Sequence, residues 1–272
     1  MLKQRVITAC VLVLMLALIL FVLPYNGFVI AISLLFVIAA WEWANMAGLE
    51  KPLQRFLYAG CFATLFFLLS NMEVLQQSVW MIGVFSLSML GWVLALLAVW
   101  RYPAKNYWNH LWFLLPAGLW LLVPAWLGLQ LLQPVVVDSG LIWLVIAVIA
   151  AADIGAYFSG RRFGRRKLAI HVSPGKTWEG FWGGVLANVL LATIIASFLH
   201  LSIAKFLGFI VSMVLVAAIS VLGDLFESMI KRERGIKDSS QLLPGHGGVM
   251  DRIDGWTAAV PLFALLYLLF VH

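Results

Sequence analysis

Along most of this chain apolar residues do not alternate with polar ones. They run on for about 20 residues at a time, long enough to cross a bilayer core as a helix. Nine such runs can be drawn, at roughly 6–23, 28–43, 56–70, 79–99, 110–128, 141–158, 181–198, 204–223 and 256–271. The second and third are short and the fifth contains Pro116 and Pro124, so a count of nine is weakest there. The pattern predicts an all-α, polytopic membrane protein of about nine transmembrane helices. Two hydrophilic stretches interrupt it, at about 159–180 and 224–255. Other connections, "LPYNG", "NMEVLQQS" and "LQPVVVDSG", are short or bland. On this basis residues 1–140 form a hydrophobic scaffold, and 141–272 carry both polar loops.

Composition supports a bilayer over water: 64% of residues are apolar and 11% charged, and the mean hydropathy is +1.01. Cys10 and Cys61 both fall inside apolar runs, which argues against a disulfide-stapled secreted fold. Lys3 and Arg5 precede the first run as they would in a signal peptide. That run is long for one, however, and no small-x-small cleavage site follows, so it reads as a retained first span. A net charge of +6 would suggest nucleic acid in a soluble protein, but here its distribution decides. With the N-terminus inside, the inner segments hold Lys3, Arg5, Lys51, Arg55, Arg101, Lys105, the cluster Arg161–Lys176 and the cluster Lys231–Arg252. Of the 18 Lys and Arg residues only Lys205 is left outside. The expectation is a cytoplasmic N-terminus, an external C-terminus, both polar loops facing the cytoplasm, and no nucleic-acid partner.

Asp153 falls late in the sixth run, about a turn and a half from its inner end. A charge inside a span is costly unless paired, hydrated or metal-bound, which marks Asp153 as a supporting site residue. The basic run Arg161–Lys167 reads first as a topology and headgroup signal. "SPGKT" (173–177) ends like a phosphate-binding loop, but Ile170 stands where that pattern needs its first glycine. What remains is a turn opened by Ser173-Pro174 and a helix emerging near Thr177. Its amides, with Lys176, can meet an anion, and Glu179 lies three residues beyond that lysine.

The second loop is denser. Asp224, Ser228 and Lys231 recur at i, i+4 and i+7 and share one face if the eighth helix continues past 223. Asp251 and Asp254 share a face at the head of the ninth span, with Arg252 and Ile253 pointing elsewhere. Two carboxylates facing one way need a cation between them or a proton on one. Together with Asp224 they form an oxygen-rich set suited to magnesium and phosphates, and poorly suited to zinc because no cysteine is near and histidines are scattered. "PGHGG" lets backbone approach a ligand and nest an anion. His246 within it either donates to a phosphate or ties the loop. Such equipment at the mouth of a lipid-embedded bundle suits polyphosphate chemistry, by phosphoryl or nucleotidyl transfer or by phosphate hydrolysis. No general base dominates, which favours a nucleophile that arrives ionised, such as a lipid phosphate.

The stretch "SMIKRERGIKDSSQLLPGHGGVMDRIDG" (228–255) closely resembles the signature of bacterial phosphatidate cytidylyltransferases, or CDP-diacylglycerol synthases. That signature reads Ser-x-x-Lys-Arg, Lys-Asp, Pro-x-His-Gly-Gly, Asp-Arg-x-Asp. Ser228, Lys231, Arg232, Lys237, Asp238, Pro244, His246, Gly247, Gly248, Asp251, Arg252 and Asp254 fill every position. "DIGAYFSGRRFG" (153–164) and "SPGKTWEG" (173–180) look like the family's other two blocks, whereas the N-terminal half is similar only in being hydrophobic. The resemblance implies that CTP and phosphatidic acid give CDP-diacylglycerol and pyrophosphate for phospholipid synthesis. It further implies magnesium, a second monovalent cation such as potassium, a homodimer, and residence in a bacterial inner membrane with the site facing the cytoplasm. Carried onto this chain, Asp224, Asp251 and Asp254 would organise the cations. Lys231, Arg232, Lys237, Asp238, His246 and Arg252 would form the catalytic set. Ser228 and the Gly247 and Gly248 amides would hold phosphate oxygens, and Ser173, Lys176 and Glu179 would build the other wall.

Two other readings stay open. A CTP-dependent transferase with a polyprenol or another lipid acceptor would show a similar site. An ion or anion transporter would use Asp153, Asp224 and Asp251 along a pathway, although the chain lacks a clear internal repeat and keeps its polar residues in loops. The nine-span topology carries its own test: a reporter fused after His272 should read outside the cell, and a cytoplasmic signal would break it.

Overall fold

The structure, a computed structural model, describes residues 2–72, 77–104, 110–133 and 140–271. Lys105 and parts of the second and third bland connections lie outside the described residues. Nine helices are seen there: α1 (Leu2–Phe21), α2 (Tyr25–Met46), α3 (Pro52–Ser70), α4 (Ser78–Arg101), α5 (Leu111–Leu132), α6 (Gly140–Phe163), α7 (Trp178–Phe198), α8 (Ile203–Arg234) and α9 (Met250–Val271). Eight are long and apolar enough to cross a membrane, and α1 has a shorter apolar part, Cys10–Phe21. The chain is a multi-pass, all-α membrane protein. Among the described residues its strands are those of a small hairpin, β1 (Lys167–Ala169) antiparallel to β2 (Ser173–Thr177).

The helices after residue 139 all overrun the boundaries expected from hydropathy, chiefly toward the polar loops. α6 continues five residues beyond 158, so Asp153 lies deeper in its helix than a turn and a half. Ser173 and Pro174 belong to a strand, not a turn, because they pair back toward Ala169. α7 starts at Trp178, where the Thr177 side chain accepts from Gly180 N at 3.1 Å and caps the helix. α8 runs to Arg234, eleven residues past the expected stop. Its charged segment pairs internally, so it can stay helical and buried. The helix then ends at Gly235, whose φ of 72° opens the left-handed cap that closes on Arg232 and Lys231 carbonyls.

Packing is dictated by small residues and rings. In α6 and α7, glycines bring backbone against backbone: a Cβ on Gly155 would sit 2.6 Å from the Gly183 carbonyl, and one on Gly184 2.7 Å from that of Ala152. Elsewhere the core is aromatic. Phe66 stacks on Trp126 at 4.5 Å, and Phe226 of α8 meets Trp92 and Trp120 edge-on at 6.0 and 5.7 Å. Trp43 and Tyr58 donate to the carbonyls of Leu114 and Leu115 beside Pro116 of α5. One buried cluster runs through both halves of the chain, with α9 packed on α4, α5 and α8.

The two polar loops meet at one end of this bundle. Arg232 Nε reaches the Val172 carbonyl, Asn45 Nδ2 that of Ser239, and Arg234 both the Asn45 carbonyl and Glu50. Replacing Gly184 with Leu should therefore force α6 and α7 apart and lower stability by about 1–3 kcal/mol. Gly60→Leu, at a position with open space around it, should leave the melting temperature in detergent nearly unchanged.

Candidate functional site

Where α6, α8, α9 and the hairpin converge, a cavity of about 300 Å³ is lined by Asp153, Asp224, Asp238, Asp251 and Asp254 against Lys176, Lys231 and Arg252. Local geometry explains each contribution. β2 aims Lys176 at α8, where its Nζ lies 2.6 Å from Asp224 Oδ2; Ser228, one turn on, donates to Asp224 Oδ1 at 3.1 Å. Another turn along, Lys231 is buried between two carboxylates, 2.6 Å from Asp251 Oδ1 and 3.1 Å from Glu227 Oε1. Asp251 uses its other oxygen locally, accepting from Ser239 N, Ser239 Oγ and Gly248 N at 2.9, 2.9 and 2.7 Å. Asp254 accepts from Gly255 N at 2.7 Å.

Beside it opens a second cavity of about 640 Å³, of different character. The loop 237–247 lines it with Lys237, Ser240, His246 and Gly247, and Asp238 and Arg252 are shared with the acidic cavity. The "PGHGG" stretch is a tight turn: Leu243 N donates to Gly247 O, and His246 N to Leu243 O. Gly245 and Gly247 take φ of 77° and 82°, which side chains rarely adopt. His246 Nδ1 is buried without a hydrogen-bond partner among the described residues. A third cavity of about 360 Å³ lies on the opposite flank. It shares Asp153 and Lys176 with the acidic one but is walled by Ala156, Tyr157, Leu168 and Phe181.

Of the residues singled out from sequence, Asp153, Lys176, Asp224, Lys231, Lys237, Asp238, His246, Gly247, Asp251, Arg252 and Asp254 line these cavities. Arg252 does not point elsewhere; it borders two of them, while Ile253 is in the core. Ser228 and Gly248 stand one contact behind, on Asp224 and Asp251. Ser173, Glu179 and Arg232 do not line a described cavity. Glu179 instead accepts from the Arg165 and Arg166 amides and holds the basic loop, and Arg232 ties α8 to the hairpin turn. Three participants escaped the sequence reading: Glu227, Ser239 and Glu42 of α2, whose carboxylate reaches the 239–250 loop. Glu42 did leave a signal, being the lone charge in an apolar run.

Among the described residues no three acidic, histidine or cysteine side chains stand together as a ready metal cage. The donor set nonetheless fits magnesium, which keeps several waters and takes one or two carboxylates plus substrate phosphates. Five aspartates outnumber three bases around one cavity, and Asp254 forms no ion pair among the described residues. At Asp251 a cation would compete with Lys231 for Oδ1.

Comparison with known proteins adds an independent finding. The cytidylyltransferase family matches residues 3–270. The phosphatidate cytidylyltransferase of Pseudomonas aeruginosa is 45% identical over 267 residues, 98% of this chain and 97% of its own. That of Haemophilus influenzae is 44% identical over 287 residues, covering 98% and 99%. That of Brucella suis is 36% identical over 231 residues, covering 84% and 71%.

Lys231 is the obvious point at which to break the cluster. Lys231→Met would leave Glu227 and Asp251 as buried, unpaired acids and should destabilise the protein by about 3 kcal/mol or more. Adding Glu227→Gln should recover part of that loss in thermal unfolding, since one of the two stranded carboxylates is then neutral.

Proposed function

This chain belongs to the cytidylyltransferase family, and we infer from that membership and from the site that it joins CTP to phosphatidate, giving CDP-diacylglycerol and pyrophosphate for phospholipid synthesis. A phosphate oxygen of the lipid attacks the α-phosphorus of CTP; the bond to the β-phosphate bridging oxygen breaks, and pyrophosphate leaves. The observation that carries this reading is the juxtaposition of an acid-rich cavity with a base-lined one, sharing Asp238 and Arg252.

The polyphosphate belongs in the larger cavity, where Lys237, His246 and Arg252 offer positive charge and donors and the Gly247 backbone permits close approach. The reacting phosphorus then sits at the shared border. Lys176 and Asp153 join the acidic cavity to the third, whose largely apolar wall suits a lipid bringing its phosphate from the side. Lys176 and Lys231 hold the aspartates in place before substrate arrives and supply positive charge once phosphates do. Magnesium on Asp224, Asp251 and Asp254, with potassium as a second cation, would neutralise charge accumulating on the phosphates. We place this mouth on the cytoplasmic face of a bacterial inner membrane, because in the nine-span topology every Lys and Arg but Lys205 falls in segments on its side.

Purified protein in detergent should release pyrophosphate from CTP and magnesium only when phosphatidate is present, and Asp251→Asn should lower that rate at least about a hundredfold. A well-folded wild-type protein that releases none would remove phosphatidate as acceptor, and other lipid phosphates would be tried in its place.

A further inference from the structure

Glu42 is the single charged residue of α2, and it is completely buried. An acid in that position must have its charge satisfied from within the protein. Neutral donors satisfy it. Oε1 accepts from Ser240 Oγ at 2.5 Å and Val249 N at 3.0 Å; Oε2 accepts from Met250 N at 2.6 Å and Ser239 Oγ at 3.2 Å. Two of these donors stand at the head of α9, Val249 N just before it and Met250 N on its first residue, where no carbonyl of the helix can reach them. Val249, at the position where a capping side chain would stand, has no acceptor to offer. Glu42 supplies that cap from another helix, where the helix end favours a negative charge.

The other two donors lie at the opposite end of the same loop. Ser239 and Ser240 begin the segment that Val249 and Met250 conclude, so one carboxylate grips both ends. Between the grips lies the wall of the 640 Å³ cavity from Ser240 to Gly247. Gly248 fits only because it is glycine: a Cβ there would run into Ser239 Oγ and the Glu42 carboxylate. Ser239 Oγ also contacts Asp251 Oδ2 at 2.9 Å, which links the clamp to the acidic cavity. We propose that Glu42 is a positioning residue for the nucleotide: by closing the base of the 239–250 loop it sets the shape of the CTP cavity without touching substrate. The proposal rests on reading that cavity as the CTP site.

Glutamine has the shape of glutamate but only one amide oxygen to accept with. Serine hydroxyls can turn to accept from its NH2 group; a backbone amide cannot, so Val249 or Met250 would face an N–H. In Glu42→Gln the KM for CTP should rise about tenfold, with the KM for phosphatidate within about twofold of wild type. Glu42→Asp, which keeps the charge but shortens the reach, should fall between, and it decides the matter by the same criterion if the glutamine variant does not fold. Amide exchange at Val249 and Met250 in the substrate-free protein should accelerate in step, with the hairpin 167–177 unaffected. A folded variant with unchanged KM for CTP, or with both KM values raised alike, would show a merely structural anchor and overturn the proposal. Wild-type turnover of CTP with phosphatidate tests the functional reading separately, whatever Glu42 does.

Discussion

A lysine buried between two acids holds the working end of this protein together. In the low-dielectric interior of a membrane bundle an isolated charge is untenable, and an opposite charge at close range is the remedy. Lys231 meets Glu227 on its own helix and Asp251 on the next. The first contact lets α8 continue as a helix through sequence that hydropathy alone would end. The second pins the head of α9 against it. From that pin Asp251 spends its remaining oxygen on Ser239 and Gly248, and so draws in the glycine loop.

The same economy of carboxylates recurs around the site. Asp224 is held by Lys176, Glu179 by two amides of the basic loop, and Glu42 by four neutral donors. None of the three is idle surface charge; each ties its own helix to a loop or strand outside it. The result is a row of three cavities whose walls change from basic and open, through acidic, to apolar. In the proposed reaction a water-soluble triphosphate and a membrane lipid would each meet a wall suited to them, with the aspartates between.

The N-terminal half takes part in this. It packs as one core with α6–α9, and through Glu42, Asn45 and Glu50 it touches the loop and the end of α8. Near-full-length identity to curated relatives fits that dependence better than a catalytic module carried on an interchangeable anchor would.

Hydropathy alone determined that the chain is a bundle of membrane-crossing helices. Residue spacing alone brought Asp224, Ser228 and Lys231 onto one face and Asp251 and Asp254 onto another, because a helix repeats every 3.6 residues whatever surrounds it. The dense pattern from Ser228 to Gly255 pointed to the chemistry for the same reason: its residues are close in sequence. Tertiary structure decided what spacing cannot express. Glu179 and Arg232 brace the hairpin region, a role spacing could not show because their partners come from other segments. Glu42, nearly 200 residues from Ser239, became part of the site only when folding laid α2 beside the loop. Local periodicity tells which side chains share a face; only packing tells which faces meet, and where a buried charge finds its partner.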